Sequence, residues 1–344
     1  MLKFKNKIMR IVVLLILVIT HFGATAQEPG KKLQETAKSM LMQGDFDNAI
    51  AILETAAKQA PADLSIQKDL AYACYLKRDF SKAIQIGRVL TERADADEQA
   101  FQILGLSYKA TALYKEGVKL YKTALKKFPN STIICNELGE LLAMDNETAQ
   151  AIEQWEKGIR ADLNYSSNYY NACIYYTQTG NWIRVALYGE IFVNLESFTE
   201  RTKDVKKALL NAWQKLFLPT VVTQQYKNNP SSAFEKTVLQ TMEKIVPAVK
   251  AGFQPETSTS IRSKWVLDWF KQNTSFTFGL FDQQQYFIRE GLFEAYNQWL
   301  FVEPINPDAY NIWKETHPKE ATAFEAYQKT RLFKIPAGQN YFSQ

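Results

Sequence analysis

The chain has 344 residues, 46% of them hydrophobic and 22% charged, a balance that excludes both a disordered tail and a polytopic membrane protein. Its net charge of +5 comes almost wholly from the start: Lys3, Lys5, Lys7 and Arg10 stand there with no acid, and removing these four from 41 basic residues leaves 37 against 36 acidic ones. A nearly neutral remainder gives no charge argument for nucleic acid or anionic lipid, and two histidines with three cysteines supply neither a multi-His metal site nor four thiolates for zinc.

The first 26 residues have three parts. A basic stretch from Lys3 to Arg10 precedes an apolar run from Ile11, and small residues at Ala24 and Ala26 precede Gln27. This layout predicts a secretory signal peptide cleaved after Ala26, because the apolar run is about half the roughly 20 residues needed to span a bilayer. Position 27 is Gln, so a lipoprotein anchor on Cys is not indicated. No later segment is apolar and long enough to span, so the expected product is a bacterial periplasmic or secreted protein without an integral membrane segment. Export permits disulfides, yet Cys74, Cys135 and Cys173 are odd in number and lie on the inner faces of predicted helices. They read as buried thiols.

From residue 30 the chain repeats itself. Gly44-Asp-Phe, Arg78-Asp-Phe and Gly180-Asn-Trp recur at multiples of 34, as do Gly105 and Gly139, and Pro61 and Pro129. The frame divides the chain into 30–63, 64–97, 98–131, 132–165 and 166–199. Each unit has two stretches with apolar residues at i, i+3, i+4 and i+7, the pattern of two amphipathic helices.

These residues resemble the tetratricopeptide repeat (TPR). Phe101, Leu104, Gly105, Tyr108, Tyr114, Gly117, Tyr121, Ala124 and Pro129 fill its nine signature positions in 98–131. Unit 30–63 supplies Leu33, Ala37, Met40, Phe46, Ala49, Leu53, Ala56 and Pro61. Unit 64–97 departs at Gly87 and Leu90, which reverse the usual large and small order, and 166–199 departs at Val185, Gly189, Phe192 and Ser197. The resemblance implies an all-α solenoid of about five helix pairs, since one pair cannot bury its apolar face alone. Thr199 to Phe217 then reads as a closing helix over 200–218, with Val205, Leu209, Trp213 and Leu216 on one face and Lys203, Lys206 and Lys207 facing solvent. Leu218-Pro219 is expected to stop it.

The remainder, 220–344, holds 22 aromatic residues from Tyr226 onward. Helices are expected over 232–250, 261–272, 282–300, 306–315 and 318–333, with Ser231 or Ser232, Asn306 and Thr316 as caps. This helical region is either a small separate domain, the preferred reading, or a continuation of the repeats. Its cluster from Trp265 to Trp299 is either a stacking platform for a ligand or a core; Trp265/Trp269 and Phe293/Tyr296 at helical spacing favour the core.

Catalytic signatures are missing. There is no G-x-x-x-x-G-K-[ST], G-x-G-x-x-G, H-E-x-x-H or G-x-S-x-G, and His317 reads as an exposed loop histidine. Neither enzymatic activity, metal nor cofactor is expected. In TPR proteins the first helix of each pair lines a concave groove, which here implies Lys68, Asp69, Tyr72, Tyr75, Gln102, Leu106, Lys109, Asn136, Glu137, Glu140, Tyr170, Asn171 and Ile174. No three consecutive units carry the Lys/Asn/Arg set with which some TPR proteins clamp a C-terminal carboxylate. The resemblance therefore implies a scaffold whose mixed groove binds a protein or peptide, with the tyrosines as anchors. The alternative is a ligand-binding or enzymatic C-terminal domain that uses the repeats as a docking arm.

Overall fold

A computed structural model describes residues 27–228, 232–249, 251–272 and 275–339. The predicted signal peptide, residues 1–26, lies outside them. The described residues are all-α, with no strand, and none of their helices is long and apolar enough to cross a membrane.

Ten helices follow the 34-residue frame: α1 (Gln27–Met42), α2 (Phe46–Gln59), α3 (Leu64–Leu76), α4 (Phe80–Glu92), α5 (Glu98–Ala110), α6 (Tyr114–Lys127), α7 (Thr132–Met144), α8 (Thr148–Ala161), α9 (Ser166–Thr179) and α10 (Trp182–Leu195). The second helices begin at residues 46, 80, 114, 148 and 182, a step of 34 each time. Each turn inside a pair contains one left-handed residue: Gly44, Arg78, Ala112, Asn146 and Gly180 have φ of 79°, 66°, 56°, 65° and 73°. Geometry thus repeats where sequence does not, because a tight turn between antiparallel helices needs one positive φ whatever side chain is there. The fifth unit, weakest in sequence, keeps the phase.

The described residues divide into two compact units, one ending at Asn146 and the other starting at Glu147. The division falls inside the fourth 34-residue unit rather than near residue 219, so the compact units do not coincide with the repeat region and aromatic region read from sequence.

In the first unit every helix packs on its neighbours in sequence, and the first helices α1, α3, α5 and α7 also touch in series. Small residues permit this. A Cβ on Gly105 would lie 2.1 Å from the Tyr121 ring, so α5 and α6 cross closely only without one. Ala37, Ala49, Ala56, Ala73 and Ala83 are buried around Leu53, Ile66 and Leu70.

The second unit starts with α8–α10 and continues with α11 (Glu200–Leu216), α12 (Pro219–Asn228), α13 (Ala233–Ile245), α14 (Ser258–Gln272), α15 (Gly279–Arg289), α16 (Phe293–Asn297) with a π turn Gln298–Val302, α17 (Pro307–Thr316) and α18 (Pro318–Thr330). Helix α11 packs on α9 and α10, as a closing helix should, and of its expected solvent face Lys203 and Lys207 are exposed while Lys206 is covered. Lys206 is only 2% exposed, and Trp213 stacks on Phe253 and meets Trp265 edge-on. The closing helix stops at Leu216, just before Leu218-Pro219 as expected, and Pro219 then opens α12, since a proline at the first helical position loses no hydrogen bond. The helix expected over 282–300 breaks at Gly291, φ 71°. Ser232 and Asn306 cap α13 and α17. Thr316 instead returns its hydroxyl to the Ile312 and Trp313 carbonyls.

Aromatic side chains form this unit's core, as their helical spacing predicts. Trp213, Trp265, Trp269, Phe234, Phe281 and Tyr296 are buried, with Trp265 and Trp269 both edge-on to Phe281. Through that core runs a buried ion pair. Arg262 (0% exposed) meets Glu190 and donates to Asn297 Oδ1 at 2.6 Å, while Gln284 Nε2 and Tyr296 Oη donate to Glu190 Oε1 at 2.7 and 2.8 Å. Four aromatic rings surround the guanidinium, which lies 5.0 Å from the Trp213 centroid and 5.2 Å from that of Phe301. Residues 147–199 and the aromatic region are therefore joined in one core, because Glu190 belongs to the fifth pair.

Candidate functional site

The inner face of the first unit is set by caps that also recur at 34. Asp63, Asp97 and Ser131 precede α3, α5 and α7 and accept from the backbone N–H of Ile66 (3.2 Å), Ala100 (3.0 Å) and Ile134 (3.2 Å). A cap satisfies helix-end donors that would otherwise be left bare, and it fixes where each first helix begins. Residues five, six, nine and twelve past a cap then share a face.

Helix α3 presents Lys68, Asp69, Tyr72 and Tyr75. Tyr72 is 40% exposed and stacks on Tyr75, ring centroids 6.1 Å apart, while Tyr75 rests against Phe80 at 5.8 Å. Helix α5 presents Gln102, Leu106 and Lys109, all half-buried, and α7 presents Asn136, Glu137 and Glu140. Lys109 Nζ lies 2.5 Å from Glu140 Oε2 and 3.6 Å from Glu137 Oε2, and Asn136 Nδ2 donates to Glu140 Oε1 at 2.9 Å. One cation is thus held between two carboxylates. Burial opposes the Lys109 charge, but the two glutamates outweigh it and hold its pKa above the ordinary lysine value. Glu137 is pushed up by burial, with Lys109 pulling it back.

Two residues expected to be free for a partner are already engaged. Lys68 is buried and paired with the Asp97 cap carboxylate. Asp69 accepts from Gln34 Nε2 at 2.5 Å and pairs with Lys38 at 3.2 Å. Both act as ties between successive helix pairs, since a charge near the groove floor is stabilised only when compensated. Tyr170 and Asn171 sit on α9 in the second unit. There Tyr170 packs on Phe192 at 5.3 Å beneath the Arg201 guanidinium, 4.9 Å from its ring.

Cys74, Cys135 and Cys173 are buried free thiols, and burial pushes Cys74 to about 11 and Cys173 to about 12. His317 is half-buried between α17 and α18 and stacks on Trp313 at 5.0 Å, more engaged than a loop histidine. Among the described residues no group of three or more His, Cys, Asp or Glu could hold a metal. Sequence reasoning missed Lys206 and Arg262, whose partners lie far along the chain. For Arg262 the available signal was an arginine in line with Trp265 and Val266 at i+3 and i+4; Lys206, beside Lys203 and Lys207, offered none.

Residues 40–105 and 99–131 each match a tetratricopeptide repeat family model. No curated protein matches the chain. Similar solved structures include MamA 41-end from Desulfovibrio magneticus RS-1, 16% identical over 49% of this chain and 93% of that one, with a TM-score of 0.40. YrrB, a TPR protein with an unusual peptide-binding site, is 15% identical over 51% of this chain and 90% of its own, TM-score 0.39. The pilF protein of Pseudomonas aeruginosa is 16% identical over 62% and 98%, TM-score 0.49. Across residues 40–131 the chain carries tetratricopeptide repeats.

Proposed function

We propose that the chain is an exported, non-catalytic scaffold. Residues 1–26 direct secretion, cleavage after Ala26 leaves a periplasmic or secreted protein, and the inner face of the first unit holds a segment of a protein partner. The observation that carries this reading is the half-open Tyr72–Tyr75 ledge on α3 together with the half-buried Lys109–Glu140 pair, which the buried Asn136 braces. A rigid aromatic anchor beside a fixed charge pattern binds by complementarity and needs no reacting group. Nothing in this face activates a nucleophile, and nucleic acid is not an expected partner for so balanced a charge.

Tagged 27–344 should retain a partner from its own envelope fraction. Tyr72→Ala combined with Glu140→Gln should weaken that binding at least tenfold at an unchanged melting temperature. Equal binding by the double variant would reject the groove. N-terminal sequencing of the exported protein should begin at Gln27, and a protein confined to the cytoplasm with its first residues intact would reject export.

A further inference from the structure

The second unit contains a cleft of about 530 Å³ that the repeats do not explain. Its walls are the first turns of α11, the π turn after α16, and facing sides of α17 and α18. Lys206 lies in its lining with Nζ 3.7 Å over the Trp299 ring and 2.7 Å from Glu303 Oε2. That pair cancels. Lys203, Lys314 and Lys329 also line the cleft, and none has a salt-bridge partner among the described residues. Glu200 and Glu325 oppose them, so the lining keeps an excess of one positive charge. The N-terminal end of the 17-residue α11 adds to it.

Next to the cleft, and sharing Ser197, Phe198 and Gln328 with it, is a slot of about 100 Å³ lined by Leu195, Phe287, Phe324, Tyr327 and Phe333. Arg331 borders this slot too. Phe198 and Leu332 stand at its mouth, 72% and 85% exposed. Large apolar side chains that reach into solvent around an aromatic slot mark a surface suited to an apolar group. A flat sugar platform is not available. Lys206 covers the Trp299 ring, and Tyr310 has Trp313 stacked beside it and Lys314 above it at 4.9 Å.

We propose that cleft and slot together form a second binding site, for a peptide segment that places an aliphatic or aromatic side chain in the slot and neighbouring carboxylates against Lys203, Lys314 and Lys329. The site is independent of the groove on the first unit. The slot holds one side chain, and the cationic walls select against a basic neighbour.

The test is selection from a random peptide library displayed on phage, with chain 27–344 as bait. Selected peptides should be enriched in Asp or Glu beside Leu, Ile or Phe. The best synthetic peptide should lose at least tenfold in affinity to Lys203→Glu/Lys329→Glu and to Phe198→Ala, both exposed positions, at unchanged melting temperature. It should keep its affinity for Tyr72→Ala. No enrichment of acidic residues, or equal affinity for the Lys203→Glu/Lys329→Glu variant, would overturn the proposal. Inorganic phosphate binding there with no peptide selected would make it an anion site and overturn it as well.

Discussion

The two compact units solve the same packing problem with different side chains. The first is built from alanine and glycine at helix crossings with leucine and isoleucine between them, and its buried charges, Lys68 and Glu137, pair between neighbouring first helices. The second is built from tryptophan, phenylalanine and tyrosine around an arginine and a glutamate that see no water. The contrast teaches how far each fold reaches along its own chain. Repeats bury surface against sequence neighbours, so the contacts of the first unit span about one repeat. The hydrogen bonds to Glu190 in the second span 72, 94 and 106 positions.

The sharpest way to break this comparison is Arg262→Met. It leaves the Glu190 carboxylate buried without its cation, which costs about 3–5 kcal/mol. Native-state labelling should then accelerate at Cys173 in the second unit and not at Cys74 or Cys135 in the first. Equal acceleration at all three would mean that the units open together. Gly105→Ala attacks the first unit in the complementary way. Its Cβ would meet the Tyr121 ring, an overpacking worth about 1–3 kcal/mol. Denaturant midpoints should show the loss, and Gly105→Ala/Tyr121→Leu should recover part of it.

Buried charge also gives the second unit a pH signature. Burial lowers Lys206 to about 8, with Glu303 working against that shift. An unfolded chain therefore binds more protons than the folded one between about pH 8 and the ordinary lysine value. In that window Lys206 makes the protein more stable as pH rises, by up to about 1.4 kcal/mol per pH unit. Buried tyrosines act in the opposite direction nearer pH 10, so the quantity to measure is the difference between the wild type and Lys206→Met from pH 8 to 9.5. A flat difference would show that Lys206 does not titrate there. The smallest effect belongs to the repeat turns. Arg78→Gly and Ala112→Gly should each raise stability by up to about 1 kcal/mol, because only glycine adopts a positive φ without strain. Gly44→Ala should lower it by a similar amount in the same thermal assay.

The repeat architecture was legible because each pair packs on its neighbours, so the requirement for a small residue, a cap or a turn returns every 34 positions. Phe46, Phe80, Tyr114, Thr148 and Trp182 begin helices on that step even where the residue type changes. The groove was legible only as a face. Which of its residues remain open depends on cross-repeat pairs such as Lys68 with Asp97, and no spacing rule separates a tie from a free charge.

Sequence by itself determined the ten repeat helices, their period and the burial of the cysteines, all of which follow from contacts within about one repeat. Only the tertiary structure decided that Lys206, alone among the polar-face lysines of α11, is buried, that the aromatic region shares its core with the fifth pair, and that Lys206 lines a cleft rather than facing solvent. Those outcomes rest on Glu190 with Arg262 and Lys206 with Glu303, partners 72 and 97 positions apart. A charge leaves no periodic mark of a partner that only the folded chain brings to it.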